Sequence, residues 1–230
     1  MTSQNLLELT DLEVVVGRGT SEENKILGKL SLKIKPGDFI CLLGGNGADK
    51  STLLNVLAGA IQPTSGKILH AGKDISKESE VKRSSYIARV WQKRGLKLRR
   101  LKENIPAFKE ALEKVNPDLA GKLDLPVDQL SGGQRQALSF VMATYNKPEL
   151  LLLDEHIAAL DPRYSRKLME ATDEQIRDKK ITAVMITHHM EDALKYGNRL
   201  LVLDHGQISH DYQGQAKQDL TLQDLAALFD

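Results

Sequence analysis

A glycine-rich segment joins an apolar strand to a helix in the first quarter of the chain. Residues 44–54 read GGNGADKSTLL; they follow the apolar run FICLL at residues 39–43 and lead into a helical pattern over residues 50–58. A strand, a glycine turn and a helix opened by Lys-Ser make up a phosphate-binding loop, in which backbone N–H groups and the helix dipole face the phosphates. Because this arrangement places a buried strand directly before a helix, it favours an α/β sheet over other architectures.

Eight residues of this segment are candidate nucleotide ligands. Lys50 would reach the β- and γ-phosphates, and the Ser51 hydroxyl would bind Mg²⁺. An ordinary glycine-rich turn is the alternative for the segment taken alone. The residues predicted to bind ATP here are Gly44, Asn46, Gly47, Ala48, Asp49, Lys50, Ser51 and Thr52.

Asp49 departs from the phosphate-loop pattern, which has glycine at this position. Glycine lets the backbone lie close to the phosphates, and a side chain there brings two penalties. Strained backbone angles cost roughly 1–3 kcal/mol. A carboxylate about 5 Å from a phosphate adds about 3 kcal/mol of repulsion at an effective dielectric constant near 20. We therefore expect Asp49 to weaken ATP binding by about a hundredfold or more.

A second apolar strand ends in two acidic residues. The run LLLL at residues 150–153 is followed by Asp154 and Glu155, and α/β sheets bind ligands at the carboxyl ends of such strands. Asp154 would hold Mg²⁺, directly or through water. Glu155 would orient and deprotonate the attacking water. A strand followed by an acidic turn without function is the alternative for this stretch alone.

The motif LSGGQ at residues 130–134 favours a nucleotide site over an ordinary glycine turn and an acidic turn without function. It lies between the glycine loop and the acidic strand, and in this combination the sequence resembles the ATP-binding cassette family, in which LSGGQ is the signature motif. Ser131 can cap a helix, and the two glycines let the backbone approach a phosphate. The residues that the resemblance assigns to an ATP held by a second copy of the chain are Ser131, Gly132, Gly133 and Gln134.

Further positions match the family's motifs one by one. Gln92 matches the glutamine that senses Mg²⁺ and water and faces the membrane partner. Asp161 matches the aspartate of a loop that crosses the dimer interface, and it is also a suitable N-cap before Pro162. His188 matches the histidine that contacts the γ-phosphate; His189 is its neighbouring competitor, and the order strand, Thr, His favours His188.

The resemblance covers the chain from its first strand to its last helix. It implies an α/β fold with a RecA-like P-loop NTPase core, an antiparallel β subdomain and a short helical subdomain at about residues 93–147, and we expect residues 1–230 to form a single nucleotide-binding domain. The pattern of elements agrees, because strands and helices alternate through the middle of the chain and β structure dominates its beginning. Residues 117–127 have an irregular pattern.

The family implies an ATPase with ATP and Mg²⁺ as cofactors. In this family two cassettes pack head to tail and drive a separate integral membrane permease, and uptake systems add an extracytoplasmic substrate-binding protein. The runs LLLLDEHIAALDP and GNRLLVLDHGQI look like cassettes of bacterial uptake systems, some of which are associated with aromatic amino acids. The sequence leaves open the transported substrate, the direction of transport and the permease.

Composition argues against several other roles. A net charge of +1 with 27% charged residues gives no basis for binding nucleic acid through bulk charge. No apolar run reaches the roughly 18 residues of a membrane span, and MTSQNLLELT lacks the features of a signal peptide. The single cysteine, Cys41, indicates a reducing compartment. We therefore expect a cytoplasmic protein that its permease holds at the inner face of the cell membrane.

Other positions depart from the family pattern. Val16 lies where the family places an aromatic ring against adenine, with Val15 or Arg18 as alternative neighbours. The insert at residues 93–129 is shorter than in most cassettes, and its basic run KRGLKLRRLK is either a permease contact or a solvated helix face. We interpret His156 as structural and not as a metal ligand.

Rival functions differ in what they require of the nucleotide site. A cassette that keeps its fold and partners but hydrolyses little ATP is favoured by Asp49 and Val16, whereas Glu155, Gln92 and His188 argue against it. A cassette ATPase acting on ribosomes or DNA usually carries tandem cassettes or long coiled-coil arms, which this sequence lacks. The LSGGQ motif argues against a P-loop kinase.

Overall fold

The computed structural model describes residues 5–45, 47–90, 105–157 and 160–229. The strands in this part of the chain are β1 (Leu7–Val16), β2 (Asn24–Ile34), β3 (Phe39–Leu43), β4 (Ser65–His70), β5 (Lys73–Asp74), β6 (Ile87–Val90), β7 (Leu150–Asp154), β8 (Thr182–Ile186), β9 (Arg199–Asp204) and β10 (Gln207–Gln213). The helices are α1 (Lys50–Ala58), α2 (Glu80–Arg83), α3 (Ile105–Val115), α4 (Pro117–Ala120), α5 (Gly132–Tyr145), α6 (Pro162–Lys179), α7 (Met190–Lys195), α8 (Gln215–Gln218) and α9 (Leu222–Ala226), and a 3₁₀ turn spans Val127–Gln129.

Among the described residues, the central sheet has six strands in the order β10-β9-β3-β8-β7-β6. Five of them run parallel, and β10 pairs antiparallel with β9 at one edge. The strands β3 and β8 are buried along their whole length, as expected for parallel strands covered on both faces. Since the parallel strands end at the same edge, the glycine loop after β3 and the acidic residues at the end of β7 meet there.

Side-chain alternation along β3 builds two apolar clusters on opposite faces of the sheet. Cys41 and Leu43 pack with residues of α5 and α6, whereas Ile40 and Leu42 pack with α1 and the antiparallel sheet. Each fully buried Leu or Ile side chain contributes roughly 1.5–3 kcal/mol. The two clusters therefore fix α1 on one face and the LSGGQ helix α5 on the other.

The antiparallel sheet has four strands in the order β2-β1-β4-β5. Its strands β1 and β2 place Leu7, Leu9 and Ile34 in the same apolar cluster as α1. Val16 lies at the far end of β1, where its side chain is 57% exposed. The predicted antiparallel β flank is therefore present, and it packs on the same side of the central sheet as α1.

Helices α3, α4 and α5 lie between β6 and β7, within the insert predicted at residues 93–147; residues 93–104 lie outside the described part of the chain. The irregular pattern predicted for residues 117–127 is wrong at its start, because α4 forms there. Asn116 Oδ1 accepts a hydrogen bond from the Leu119 N–H, 3.2 Å away, and Pro117 follows at the first helical position. Among the described residues, no helix is long and apolar enough to cross a membrane.

Candidate functional site

The glycine loop connects β3 to α1 at the carboxyl edge of the central sheet. Gly47 has a φ of 81°, and a Cβ added to Gly45 or Gly47 would meet no atom within 4 Å, so the loop is open on this side. A Cβ on Gly44 would instead lie 2.5 Å from the Leu203 carbonyl oxygen, so packing against β9 requires this glycine. The loop therefore has the open backbone that a bound phosphate requires.

Asp49 occupies a backbone conformation that favours glycine. Its φ of 63° and ψ of 26° lie in the left-handed region, and its side chain does not cap α1. This conformation costs an L-residue roughly 1–2 kcal/mol. Burial raises the pKa of the Asp49 carboxyl above its ordinary value, and the adjacent charge of Lys50 only partly offsets this effect. The strain expected at this position therefore has a structural basis.

Lys50 is buried and its ammonium group is held by the loop itself. Nζ donates hydrogen bonds to the carbonyl oxygens of Gly44 (2.7 Å) and Gly45 (2.9 Å). Burial lowers the pKa of Lys50, while the charges of Glu155 and Asp49 raise it. Since the loop carbonyls and not Asp49 accept these hydrogen bonds, the ammonium group stays within the loop that is predicted to bind phosphate.

Ser51 and Asp154 bring two oxygen atoms together beside the loop. The Ser51 hydroxyl donates a hydrogen bond to Asp154 Oδ1 at 3.4 Å. Hydroxyl and carboxylate oxygens are ligands that Mg²⁺ accepts, and Mg²⁺ takes its other ligands from phosphates and water. Within the described part of the chain, no three His, Cys, Asp or Glu side chains could hold a metal ion by themselves. The residues present fit a Mg²⁺ ion that binds together with a nucleotide.

Glu155 and His188 form a hydrogen-bonded pair at the same edge of the sheet. His188 Nε2 lies 2.6 Å from Glu155 Oε1, and both side chains remain partly accessible. Glu155 has a φ of 47°, a left-handed conformation that is uncommon outside glycine and is often found at functional sites. The structure brings His188, rather than the adjacent His189, to Glu155.

The LSGGQ motif forms the N-terminus of α5. Ser131 Oγ accepts a hydrogen bond from the Gln134 N–H at 3.2 Å, and Gln134 Oε1 accepts one from the Ser131 N–H at 3.0 Å. This reciprocal pair is a capping box, which satisfies two backbone donors within the chain. Gly132 is exposed and a Cβ there would meet no atom within 4 Å, so this end of the helix is open to a ligand.

Comparison with known proteins identifies the family. A sequence model described as ABC transporter matches residues 27–158, more than half of the chain. The chain belongs to the ABC transporter family. It is 36% identical to the tyrosine transport ATP-binding protein of Clostridioides difficile (strain R20291), over 98% of this chain and 99% of that protein. This cassette spans 60–61% of the length of import ATP-binding proteins named for spermidine/putrescine in Spiroplasma citri and for Fe(3+) ions in Photorhabdus laumondii.

Two solved structures confirm the fold of the cassette. The ADP conformation of an ATP-binding cassette of an ABC transporter superposes with a TM-score of 0.82 at 22% identity, over 98% of this chain and 97% of that chain. The dimeric post-hydrolysis state of a second cassette, bound to ADP and Pi, has a TM-score of 0.74 at 23% identity, over 90% of this chain and 98% of that chain. The predicted RecA-like α/β core, antiparallel sheet and helical elements are therefore confirmed.

Gly133 is required by a contact within the cassette. A Cβ at this position would lie 2.6 Å from a ring carbon of Tyr164 on α6. The Tyr164 hydroxyl accepts a hydrogen bond from Asn116 Nδ2, and Asn116 also caps α4. The second glycine of LSGGQ therefore packs α5 against α6, whereas Gly132 leaves the backbone uncovered.

Asp161 is the N-cap of α6, as its position before proline predicts. Asp161 Oδ1 accepts a hydrogen bond from the Tyr164 N–H at 3.0 Å, and Pro162 occupies the first helical position. Its predicted role at a dimer interface remains a proposal. Two of the predicted site residues, Asn46 and Gln92, lie outside the described part of the chain.

Arg89 is a site residue that sequence reasoning missed. It lies on β6, and its Nη2 donates a hydrogen bond to Asp154 Oδ2 at 2.5 Å. The only sequence signal is a single arginine in the strand pattern IARV, which does not indicate what the side chain contacts. Packing of β6 beside β7 makes the contact.

His156 is buried between α5 and α6, in agreement with its structural interpretation. Its Nε2 lies 3.3 Å from Thr172 Oγ1 on α6, and its ring lies near that of Phe140 on α5, with 6.4 Å between the centroids. Burial lowers the pKa of His156 to about 4. The imidazole is therefore neutral at physiological pH, and it links the signature helix to the segment that carries Glu155.

Proposed function

We propose that this cassette binds ATP with Mg²⁺ and hydrolyses it as the subunit that drives a separate membrane permease. The observation that carries the proposal is the convergence of two pairs at one edge of the sheet. Ser51 Oγ lies 3.4 Å from Asp154, and Glu155 lies 2.6 Å from His188. The buried Lys50 adjoins the first pair and is influenced by the charge of Glu155.

Each of these residues has a distinct task in hydrolysis. Lys50 neutralises the β- and γ-phosphates, while Ser51 and Asp154 would hold Mg²⁺, which would supply further charge neutralisation at the phosphate oxygens. Glu155 orients the attacking water and accepts its proton. His188 donates a hydrogen bond to the γ-phosphate as charge develops there. The predicted task of Gln92 is to sense the metal and the water.

The open N-terminus of α5 supports a head-to-tail dimer. Ser131 and Gly132 are exposed, and the backbone N–H groups at a helix start attract a phosphate. In a dimer this end would complete the ATP site of a second copy, with Asp161 at the interface. The dimeric state of one structurally similar cassette agrees with this arrangement.

The transport system is proposed to be a bacterial importer for an aromatic amino acid. A relative that is 36% identical over 98% of this chain is named for tyrosine transport, which agrees with the likeness noted in the sequence. The partners would be a permease, which holds the cassette at the cytoplasmic face, and an extracytoplasmic substrate-binding protein. Uptake of labelled tyrosine by cells carrying the cassette and its neighbouring permease genes tests this assignment, and uptake of spermidine alone would contradict it.

The dimer is tested with the substitution Glu155→Gln, which slows hydrolysis and so traps bound ATP. Light scattering should show a monomer without nucleotide and a dimer with ATP and Mg²⁺. The same substitution combined with Asp49→Gly tests the dimer with the phosphate loop restored, and Lys50→Ala serves as the control that does not bind ATP. If neither form dimerises, the head-to-tail arrangement is wrong.

A second candidate function is a cassette that keeps its fold and partners but binds ATP poorly. The left-handed backbone of Asp49 and the position of its carboxyl beside Lys50 favour this candidate. The paired Glu155 and His188 favour the active enzyme, because a cassette without hydrolysis has no use for them. Titration of ATP against Asp49→Gly separates the two candidates.

A further inference from the structure

Arg89 joins parts of the nucleotide site that are far apart in sequence. Its side chain is only 6% exposed. Nη2 donates to Asp154 Oδ2 at 2.5 Å, and Nη1 donates to Asn55 Oδ1 at 2.7 Å. Asn55 lies on α1, whose first turn carries Lys50 and Ser51. One guanidinium group therefore contacts both the acidic strand and the phosphate-loop helix.

The strand geometry explains this position. β6 runs parallel to β7 with Arg89 opposite Leu152, two residues before Asp154. Ile87 lies two residues before Arg89, so both side chains lie on the same face of β6, and Ile87 packs in the apolar cluster of α1. Arg89 thus extends along the α1 face of the sheet towards its carboxyl edge.

Asp154 divides its two oxygens between a hydroxyl and a guanidinium. Oδ1 accepts from Ser51 Oγ, and Oδ2 accepts from Arg89. A metal that binds beside Ser51 would therefore share Asp154 with a positive charge already bound to the other oxygen. A guanidinium stays charged at every physiological pH, so this competition is permanent.

The charges around the loop show why a resident cation matters here. Three carboxylates, those of Asp49, Asp154 and Glu155, lie around the loop, with Lys50 and Arg89 as the cations in contact with these groups or with the loop. Without Arg89, the Lys50 ammonium would face the three carboxylates and the phosphates of ATP with less positive charge beside it. ATP would then depend on Mg²⁺ to offset this repulsion.

We propose that Arg89 is a resident cation that lowers the dependence of nucleotide binding on Mg²⁺, by weakening metal binding at Asp154 and favouring the phosphates. This inference rests on the proposed nucleotide site and deepens it. Arg89 acts through Asp154 and the local charge; it is a positioning residue and does not take part in bond breaking.

The first test uses metal alone. Mn²⁺ is titrated into the nucleotide-free protein and followed by electron paramagnetic resonance. Arg89→Gln removes the charge and should bind Mn²⁺ at least tenfold more tightly than the unmodified protein, and a further Asp154→Asn should abolish the gain. Arg177→Gln is the matched control, because it removes the same charge from an exposed side chain that pairs with the carboxylate of Asp173, and it should leave Mn²⁺ binding unchanged.

The second test compares ATP binding with Mg²⁺ and with EDTA. The unmodified protein should lose less than tenfold in affinity when Mg²⁺ is removed, whereas Arg89→Gln should lose a hundredfold or more. Arg89→Lys keeps the charge and should behave like the unmodified protein in both tests. If Arg89→Gln does not fold, Arg89→Lys still tests whether the positive charge sets the affinity for the metal.

The outcomes separate this inference from the proposed function. Unchanged Mn²⁺ affinity in Arg89→Gln would mean that Arg89 only supports the structure, and weaker Mn²⁺ binding would mean that it orients Asp154 for the metal; either result overturns the inference. If Arg89→Lys binds Mn²⁺ tenfold more tightly than the unmodified protein, charge is not the cause. If ATP does not bind in any condition, the proposed function fails, and the Mn²⁺ titration still decides the role of Arg89.

Discussion

The phosphate loop and the signature motif are both helix N-termini, but they are built in opposite ways. At α5, Ser131 has an extended backbone and exchanges two hydrogen bonds with Gln134, so the backbone N–H groups of these two residues are satisfied within the chain. At α1, Asp49 has a left-handed backbone and makes no side-chain capping hydrogen bond. The signature end is therefore stable without a ligand, whereas the phosphate-loop end carries strain and an added carboxylate.

This difference indicates where substitutions should have their effects. Changes to the polar side chains around the phosphate loop should mainly alter ATP binding and hydrolysis, because these side chains are the ones proposed to contact the nucleotide. Changes around the signature helix should alter folding stability as well, because Gly133 and His156 pack α5 against α6.

The largest effect is expected at the catalytic pair on the phosphate-loop side. Glu155→Gln and His188→Ala should each lower ATP turnover by a factor on the order of 10² or more and leave ATP affinity nearly unchanged, because both groups are proposed to act on the reacting γ-phosphate. Phosphate release and nucleotide titration, both with Asp49→Gly present, measure the two quantities. His189→Ala is the matched control and should keep normal turnover. If His189→Ala is impaired and His188→Ala is not, the assignment of the pair is wrong.

Part of this architecture could be predicted from the sequence because local patterns determine it. β3 and α1 span the predicted residues, since an apolar run, a glycine loop and a helical pattern follow one another without ambiguity. Helix α4 has a local signal as well, Asn116 before Pro117, but it is only four residues long and its pattern is weak.

Contacts between distant segments could not be predicted. Arg89 meets Asp154 only because β6 and β7 are neighbours in the sheet. The contact of Gly133 with Tyr164 depends on how α5 packs on α6. From the sequence alone, a glycine in LSGGQ is interpreted as a ligand contact, and nothing in the motif indicates a tyrosine ring beside it. Each motif of the site is a short run of sequence, whereas the side chains that contact it come from distant segments of the chain.

On the signature side, His156 should make stability depend on pH. Burial lowers its folded pKa to about 4, below the ordinary value of 6.5, so the unfolded chain binds a proton that the folded chain does not. The free energy of unfolding should therefore fall by up to about 3 kcal/mol between pH 6.5 and pH 4 on account of this residue. Urea unfolding of the unmodified protein and of His156→Gln measures the difference.

The control for this prediction is His205→Gln, since His205 is 96% exposed. His156→Gln should flatten the dependence between pH 4 and pH 6.5, and His205→Gln should not. Equal pH dependence in the unmodified protein and His156→Gln would contradict the neutral, buried state of this imidazole.

A smaller effect is expected from the glycines of the signature motif. In Gly133→Ala the new Cβ would lie 2.6 Å from the Tyr164 ring, so the folded state should lose about 1–3 kcal/mol. Gly132→Ala has open space and should be neutral or stabilising by up to about 1 kcal/mol, because alanine loses less backbone entropy in a helix. Thermal unfolding compares the pair. Should Gly133→Ala be as stable as Gly132→Ala, the packing described for α5 and α6 is incorrect.

The most direct test of the contrast between the two helix starts is titration of ATP and Mg²⁺ against the unmodified protein, Asp49→Gly and Asp49→Asn. Asp49→Gly should bind ATP about a hundredfold more tightly, or about 3 kcal/mol, because the carboxylate charge is removed and the backbone can approach the phosphates without a side chain. Asp49→Asn should recover only the electrostatic part and bind with intermediate affinity. If Asp49→Gly binds ATP no more tightly than the unmodified protein under the same salt and Mg²⁺ concentrations, the phosphate loop tolerates the carboxylate, and the claim that its two penalties weaken ATP binding is contradicted.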